Sequence, residues 1–334
     1  MESHPVKIAF FSSQPYMQHP FDEHNRDYGF DITWFDARLE AHTAALCRGF
    51  DAVCVFVNDK LDADVINTLA SAGVGIIALR CAGYNNVDLE AASAAGIQVV
   101  RVPAYSPEAV AEHTVGLMLT LNRHIHKAYQ RTRDANFSLN GLVGFNMHGK
   151  TAGIIGTGKI GMATLRILQG LGMTLLVHDP VENPEALPLG ARYVPLEQLF
   201  READVISLHC PLLPENYHLL RHDSFEQMKD GVMIINTSRG GLLHAQDAIA
   251  AINSGKIGAL GLDVYEEEEN LFFSDKSCEI IHDDTFHLLS TYPNVLLTGH
   301  QAFLTHEALA AIAHITLDNL QRLSRNEPCD NQIN

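Results

Sequence analysis

Three side chains of different chemistry stand late in the chain, each just beyond a β-branched, apolar run. They are Arg239 in Asn236-Thr237-Ser238-Arg239-Gly240, Glu268 in Asp263-Val264-Tyr265-Glu266-Glu267-Glu268, and His300 in Thr298-Gly299-His300-Gln301. An arginine fork matches the two oxygens of a carboxylate and polarises a carbonyl beside it. Imidazole gives and takes a proton near neutral pH. A carboxylate paired with imidazole orients it and favours its protonated form. As a set they suit the reduction of a 2-oxo acid, in which one group holds the acid, one protonates the nascent alkoxide and one aligns the proton donor. Singly, each has a plainer reading: a salt-bridge arginine, a solvated acidic loop over Glu266, Glu267, Glu268 and Glu269, and an ordinary histidine at a strand end.

A second constellation is Gly156-Thr157-Gly158-Lys159-Ile160-Gly161, which fits G-x-G-x-x-G. The pattern is weak alone, but here it follows an apolar run at residues 151–155 and opens a helical pattern reaching about Gly170. Glycines at these places let backbone approach a pyrophosphate, whose charge is stabilised by free N–H groups and the helix dipole. The next strand pattern ends at His178-Asp179-Pro180, with Asp179 about 18 residues past the last glycine, against the roughly 20 expected of a ribose-binding acid. A carboxylate there accepts from ribose hydroxyls and repels a 2′-phosphate, and no arginine immediately follows it. The expected cofactor is NAD rather than NADP.

These residues need a frame, and the chain supplies one. Strand-like runs near residues 7–11, 32–35, 52–55, 76–78 and 98–100 alternate with helical stretches near 61–71 and 89–95. Asp88 is placed to cap the second of these and Gly96 to close it. Ser106-Pro107-Glu108 then opens a long helical pattern running to about Asn136. A second alternation follows the Gly-rich stretch 140–149, with strands near 151–155, 174–178, 205–208, 232–235, 259–262 and 295–297. Strand–helix alternation throughout predicts an α/β fold of two doubly wound parallel-sheet domains, flavodoxin-like and Rossmann, with an active-site cleft between them. The final helical pattern, near 306–326, follows the second sheet, so the expected division is 1–103 plus 300–334 for a substrate-binding domain and 104–299 for a nucleotide-binding domain.

The 334 residues carry a formal charge of −17, from 40 acidic against 23 basic side chains. Such a surface repels nucleic acid, and an anionic substrate needs a local cation. No apolar run is long enough to cross a bilayer, and the N-terminus lacks the basic region and long apolar core of a secretory signal. A cytoplasmic protein is expected. Cys47, Cys54, Cys81, Cys210, Cys278 and Cys329 form no CxxC pair and read as reduced thiols. The 18 histidines include the close pairs His124/His126 and His282/His287, but without nearby cysteine or an HExxH pattern no metal site is expected.

The ordered set of the glycine motif, Asp179, Asn236 to Gly240, Leu262 to Glu268 and Gly299 to Phe303 resembles the D-isomer-specific 2-hydroxyacid dehydrogenases over nearly the full length. Within that family the likeness is to bacterial fermentative D-lactate dehydrogenases, through Val57-Asn58-Asp59, the segment Leu79 to Asp88, and Gln130 to Leu139. The resemblance implies that His300 is the acid/base, Glu268 its partner and Arg239 the substrate-binding cation. It implies that the amides of Ala82 and Gly83 hold the substrate carboxylate, that Tyr105 reaches it, and that Phe303 closes over a small pocket. It also implies that His209, Cys210, Pro211 and Asn216 line NAD, with Thr237, Ser238 and Asp263 toward its nicotinamide. Pyruvate and D-lactate are the implied substrate pair, and a homodimer or tetramer the implied assembly. A dehydrogenase for a bulkier 2-oxo acid such as phenylpyruvate is the alternative, and a non-enzymatic NAD(H)-sensing corepressor a more distant one.

Overall fold

The computed structural model describes residues 5–334. Among the described residues the chain divides into two compact units: residues 5–106 with 304–334, and residues 107–303. The crossings fall a few residues beyond those expected from the sequence, which keeps His300 with the second unit.

In the first unit, β1 (Lys7–Phe10), α1 (Pro15–Asn25), β2 (Asp31–Trp34), β3 (Ala52–Val55), α2 (Ala63–Ala72), β4 (Ile76–Leu79), α3 (Leu89–Ala94) and β5 (Gln98–Val100) follow in turn. The strands are parallel in the order β2-β1-β3-β4-β5, the flavodoxin-like doubly wound order. β3 and β4 are buried at every residue, as central parallel strands covered on both faces must be, whereas edge strand β2 is buried nowhere fully. Asp88 caps α3 by accepting from the Ala91 N–H at 2.9 Å, and Gly96 follows it with φ 72°, both as expected. α1 leaves no clear sequence signal, because its polar stretch carries both Pro15 and Pro20. Met17 and Phe21, one turn apart and buried, anchor it.

The second unit opens with α4 (Pro107–Asn122) and α5 (Ile125–Arg133), where the sequence pattern had suggested one helix. The break is local. Residues 144–145 lie across the end of α4, and the Asn122 side chain pairs with the Phe145 backbone in both directions at 2.8 Å. His124 then turns the chain with φ 52°. Beyond are β6 (Thr151–Ile155), α6 (Lys159–Gly170), β7 (Thr174–His178), β8 (Arg192–Tyr193), α7 (Leu196–Glu202), β9 (Val205–Leu208), α8 (His222–Gln227), β10 (Val232–Asn236), α9 (Ala245–Asn253), β11 (Ile257–Leu262), α10 (Asp284–Thr291) and β12 (Val295–Leu297). They form a parallel sheet ordered β12-β11-β10-β9-β6-β7-β8. The expected six strands gain a seventh, β8, an edge strand of two residues and too short to leave a periodicity. One face packs on Val115, Met118, Leu121, Met162 and Leu165 from α4 and α6, the other on Phe225, Ala248 and Leu289 from α8, α9 and α10.

The chain returns to the first unit as α11 (His306–Ser324), capped by Thr305 and packed on α1 and β4. The tail beyond it bonds along β5, Ile333 N–H to the Val99 carbonyl at 2.9 Å and Arg101 N–H to the Asn331 carbonyl at 3.1 Å.

Candidate active site

Arg239, Glu268 and His300 follow β10, β11 and β12, three neighbouring strands of the second sheet, at their carboxyl ends. In open α/β sheets that edge is where ligands bind. His300 Nδ1 meets Glu268 Oε1 at 2.7 Å, with both side chains about four-fifths buried. The other oxygen, Oε2, accepts the Tyr265 N–H at 2.9 Å, so Glu268 is fixed from two sides. Nδ1 donates to the carboxylate, and Nε2 has no partner among the described residues. This is the tautomer that an acid/base imidazole needs.

Arg239 is held by its main chain. Buried Asn236 donates to the Arg239 carbonyl at 2.8 Å and accepts from the Ser238 N–H at 3.0 Å, which shapes the turn. The guanidinium makes one hydrogen bond among the described residues, Nη1 to the Ser238 carbonyl at 2.7 Å, and keeps donors for a ligand. Gly240 cannot carry a side chain, since a Cβ there would lie 2.2 Å from the Tyr265 backbone. That contact seats the Arg239 loop directly on the Glu268 loop.

Asp263 is fully buried. Its carboxylate accepts from the Gln301 and Ala302 N–H groups, both at 2.9 Å, and from the Thr298 hydroxyl, with His113 Nε2 at 3.4 Å. Its carbonyl accepts the His300 N–H at 2.7 Å. This one residue organises the turn that presents His300, whose φ is 52°. Burial would raise its pKa, but the bonds from His113, Thr298, Ala302 and Gln301 outweigh burial and hold it below the usual carboxylate range. His113 and Thr298 escaped sequence reasoning because they lie far from Asp263 along the chain. Asn236, the last residue of β10 and just before a turn, carried a signal that could have been read.

The glycine motif follows β6, and His209 follows β9. Strand order reverses between these two strands, the switch point at which doubly wound sheets bind nucleotides. Gly156 has φ 101°, and a Cβ on it would lie 2.6 Å from the His209 backbone; on Gly161 it would lie 2.0 Å from the Gly156 carbonyl. A Cβ on Gly158 meets nothing within 4 Å, so that face is open to a ligand. α6 begins at Lys159 with no side-chain cap, leaving the first N–H groups, of Lys159, Ile160 and Gly161, for an anion. Asp179 accepts the Thr157 N–H at 2.7 Å, and Thr157 is braced by the Tyr193 hydroxyl at 2.9 Å. These features fit a dinucleotide. Burial of the His209 ring pushes its pKa down to about 4, and its Nε2 lies 2.9 Å from the Ser207 hydroxyl.

The remaining residues are placed as follows. The Cys210 carbonyl accepts from the Ser238 hydroxyl at 2.6 Å, the Pro211 carbonyl from the Asn216 amide at 2.8 Å, and Thr237 pairs with Thr114 at 2.8 Å. Burial raises the Cys210 thiol to about 11, which makes it unreactive. Phe303, buried, ends the second unit. Ala82, Gly83 and Tyr105 belong to the first unit, the first two on the turn after β4. Neither the Ala82 nor the Gly83 N–H has a hydrogen-bond partner among the described residues. The described residues contain no helix long and apolar enough to cross a membrane.

Residues 115–302 match the family model of the D-isomer specific 2-hydroxyacid dehydrogenase NAD-binding domain. The chain is 58% identical to a D-lactate dehydrogenase of Escherichia coli, over 98% of this chain and 100% of that protein. It is also 58% identical to a 2-hydroxyacid dehydrogenase homolog of Haemophilus influenzae, over 98% and 99%. The apo-structure of the Escherichia coli D-lactate dehydrogenase superposes with a TM-score of 0.91 at 56% identity, covering 98% of this chain and 100% of that one. With a family model over more than half of the chain and relatives 58% identical over nearly its full length, the chain belongs to the NAD-dependent D-isomer-specific 2-hydroxyacid dehydrogenases.

Proposed function

We propose that the chain is a D-lactate dehydrogenase, interconverting pyruvate and D-lactate. The carrying observation is the 2.7 Å pair of His300 and Glu268 on strands next to Arg239. Arg239 holds the substrate carboxylate and polarises the C2 carbonyl, and the first unit contributes the Ala82 and Gly83 amides, with Tyr105 reaching the same group. Gly156, Thr157, Gly158, Lys159, Ile160 and Gly161 hold the pyrophosphate of NAD, Asp179 its ribose, and His209, Cys210, Pro211, Asn216, Thr237, Ser238 and Asp263 line the rest. When bound, the reduced cofactor supplies a hydride to C2. The His300 imidazolium delivers its Nε2 proton to the carbonyl oxygen while Glu268 stabilises the charge on the ring. In reverse, neutral Nε2 takes the hydroxyl proton. Phe303 keeps the pocket small enough to favour pyruvate.

The same reading makes the chain a homo-oligomer of fermentative metabolism in the cytoplasm, a setting that suits its six free cysteines. Replacing His300 with Ala is expected to lower turnover by about 10³-fold, within the range for losing a general acid. NADH affinity, measured by nucleotide fluorescence, should hold. Undiminished pyruvate reduction in that variant would reject the assignment.

A further inference from the structure

We infer that Arg101 is a positioning residue for substrate: it aims the Gly83 amide and strengthens it as a donor. The inference rests on the reading that the Ala82 and Gly83 amides take the substrate carboxylate. Arg101 Nη1 donates to the Ala82 carbonyl at 2.8 Å. In a planar trans peptide the carbonyl of one residue and the N–H of the next point to opposite sides. Fixing the Ala82 oxygen toward Arg101 therefore turns the Gly83 N–H away from it, and that N–H has no partner among the described residues.

The turn is held at its next peptide as well. The Cys81 thiol donates to the Gly83 carbonyl at 3.3 Å, and the Arg101 guanidinium lies 5.2 Å from the Tyr84 ring centroid. A cation on a carbonyl oxygen also polarises that peptide, making its N–H a better donor to an anion. Arg101 is itself immobilised by main-chain bonds: its N–H to the Asn331 carbonyl at 3.1 Å, and its carbonyl to the Asn319 side chain at 2.9 Å. α11 and the C-terminal tail thus reach the substrate turn through this one side chain. Because those anchors are backbone atoms of Arg101, replacing its side chain leaves them in place.

The test compares the purified wild type with R101M and R101K, using pyruvate, NADH and the substrate analogue oxamate. R101M is expected to raise the KM for pyruvate and the inhibition constant for oxamate about tenfold, equivalent to roughly 1.4 kcal/mol. Its kcat should stay within about twofold and its NADH dissociation constant should not move. R101K, which keeps a charged donor, should raise KM only a few-fold. Unchanged pyruvate KM in R101M overturns the inference, as does a joint fall of kcat and NADH affinity, which marks a general disturbance of the fold. Should R101M fail to fold, the decision passes to R101K, where an unchanged KM is the contrary result. A wild type that turns over pyruvate while R101M is silent sinks this inference alone. A wild type that does not turn over pyruvate sinks the proposed function and the inference with it.

Discussion

Glu268 has two tasks because its two oxygens have different partners. One aligns His300, and the other is fastened to the Tyr265 amide so that the first stays aimed. Arg239, Glu268 and His300 stood out in the sequence only as a set of complementary chemistry just past strand-like runs, each having a plainer reading alone, and their pairing came from the family resemblance; Asp179 stood out through its spacing from the glycine motif. The anchoring set of Asp263, Thr298 and His113 did not, since contacts across three elements leave no local pattern. His209 makes a separate test of how buried the nucleotide edge is. Its ring has a pKa of about 4 in the folded chain against the ordinary 6.5. Between those values the unfolded chain binds a proton that the folded chain refuses, so this contribution is complete above pH 6.5 and is lost as pH falls toward 4. From pH 7 to pH 5 the loss should be on the order of 2 kcal/mol. Thermal melting of wild type and His209→Asn across that range should give a flatter pH dependence for the variant. Parallel curves would mean the ring is not buried in its neutral form.

At the scale of elements, the strands were legible wherever they are buried on both faces and rich in β-branched residues, as β3, β4 and β10 are. Other features were not: α1 carries two prolines in a polar stretch, the edge strand β8 has two residues, and the break between α4 and α5 is imposed by residues 144–145 arriving from later in the chain. The turn from β6 into α6 yields a paired prediction. Gly161→Ala puts a Cβ 2.0 Å from the Gly156 carbonyl, so it should lower the melting temperature and NADH affinity together. Gly158→Ala meets no protein atom within 4 Å, so the fold should stand while NADH binding weakens by tenfold or more, the new methyl occupying the approach of the pyrophosphate. Calorimetry and NADH titration separate the two. Full NADH affinity in Gly158→Ala would show that this face is not where phosphate lies.

For the whole molecule, a formal charge of −17 means that two anions, a carboxylate substrate and a dinucleotide, must bind a chain that repels them in bulk. On the proposed reading the positive groups that matter are local: the Arg239 fork, the uncapped start of α6 and the unpartnered amides after β4. Both sheets are parallel, as the strand–helix alternation predicted, and the discontinuity of the first unit follows from α11 and the tail packing back on β4 and β5. The direct measurement supplies purified protein with NADH and pyruvate or phenylpyruvate and determines the chirality of the hydroxy acid formed. D-lactate is expected, formed faster than D-phenyllactate. L-lactate, or NADH left unoxidised in the presence of pyruvate, would rule the assignment out.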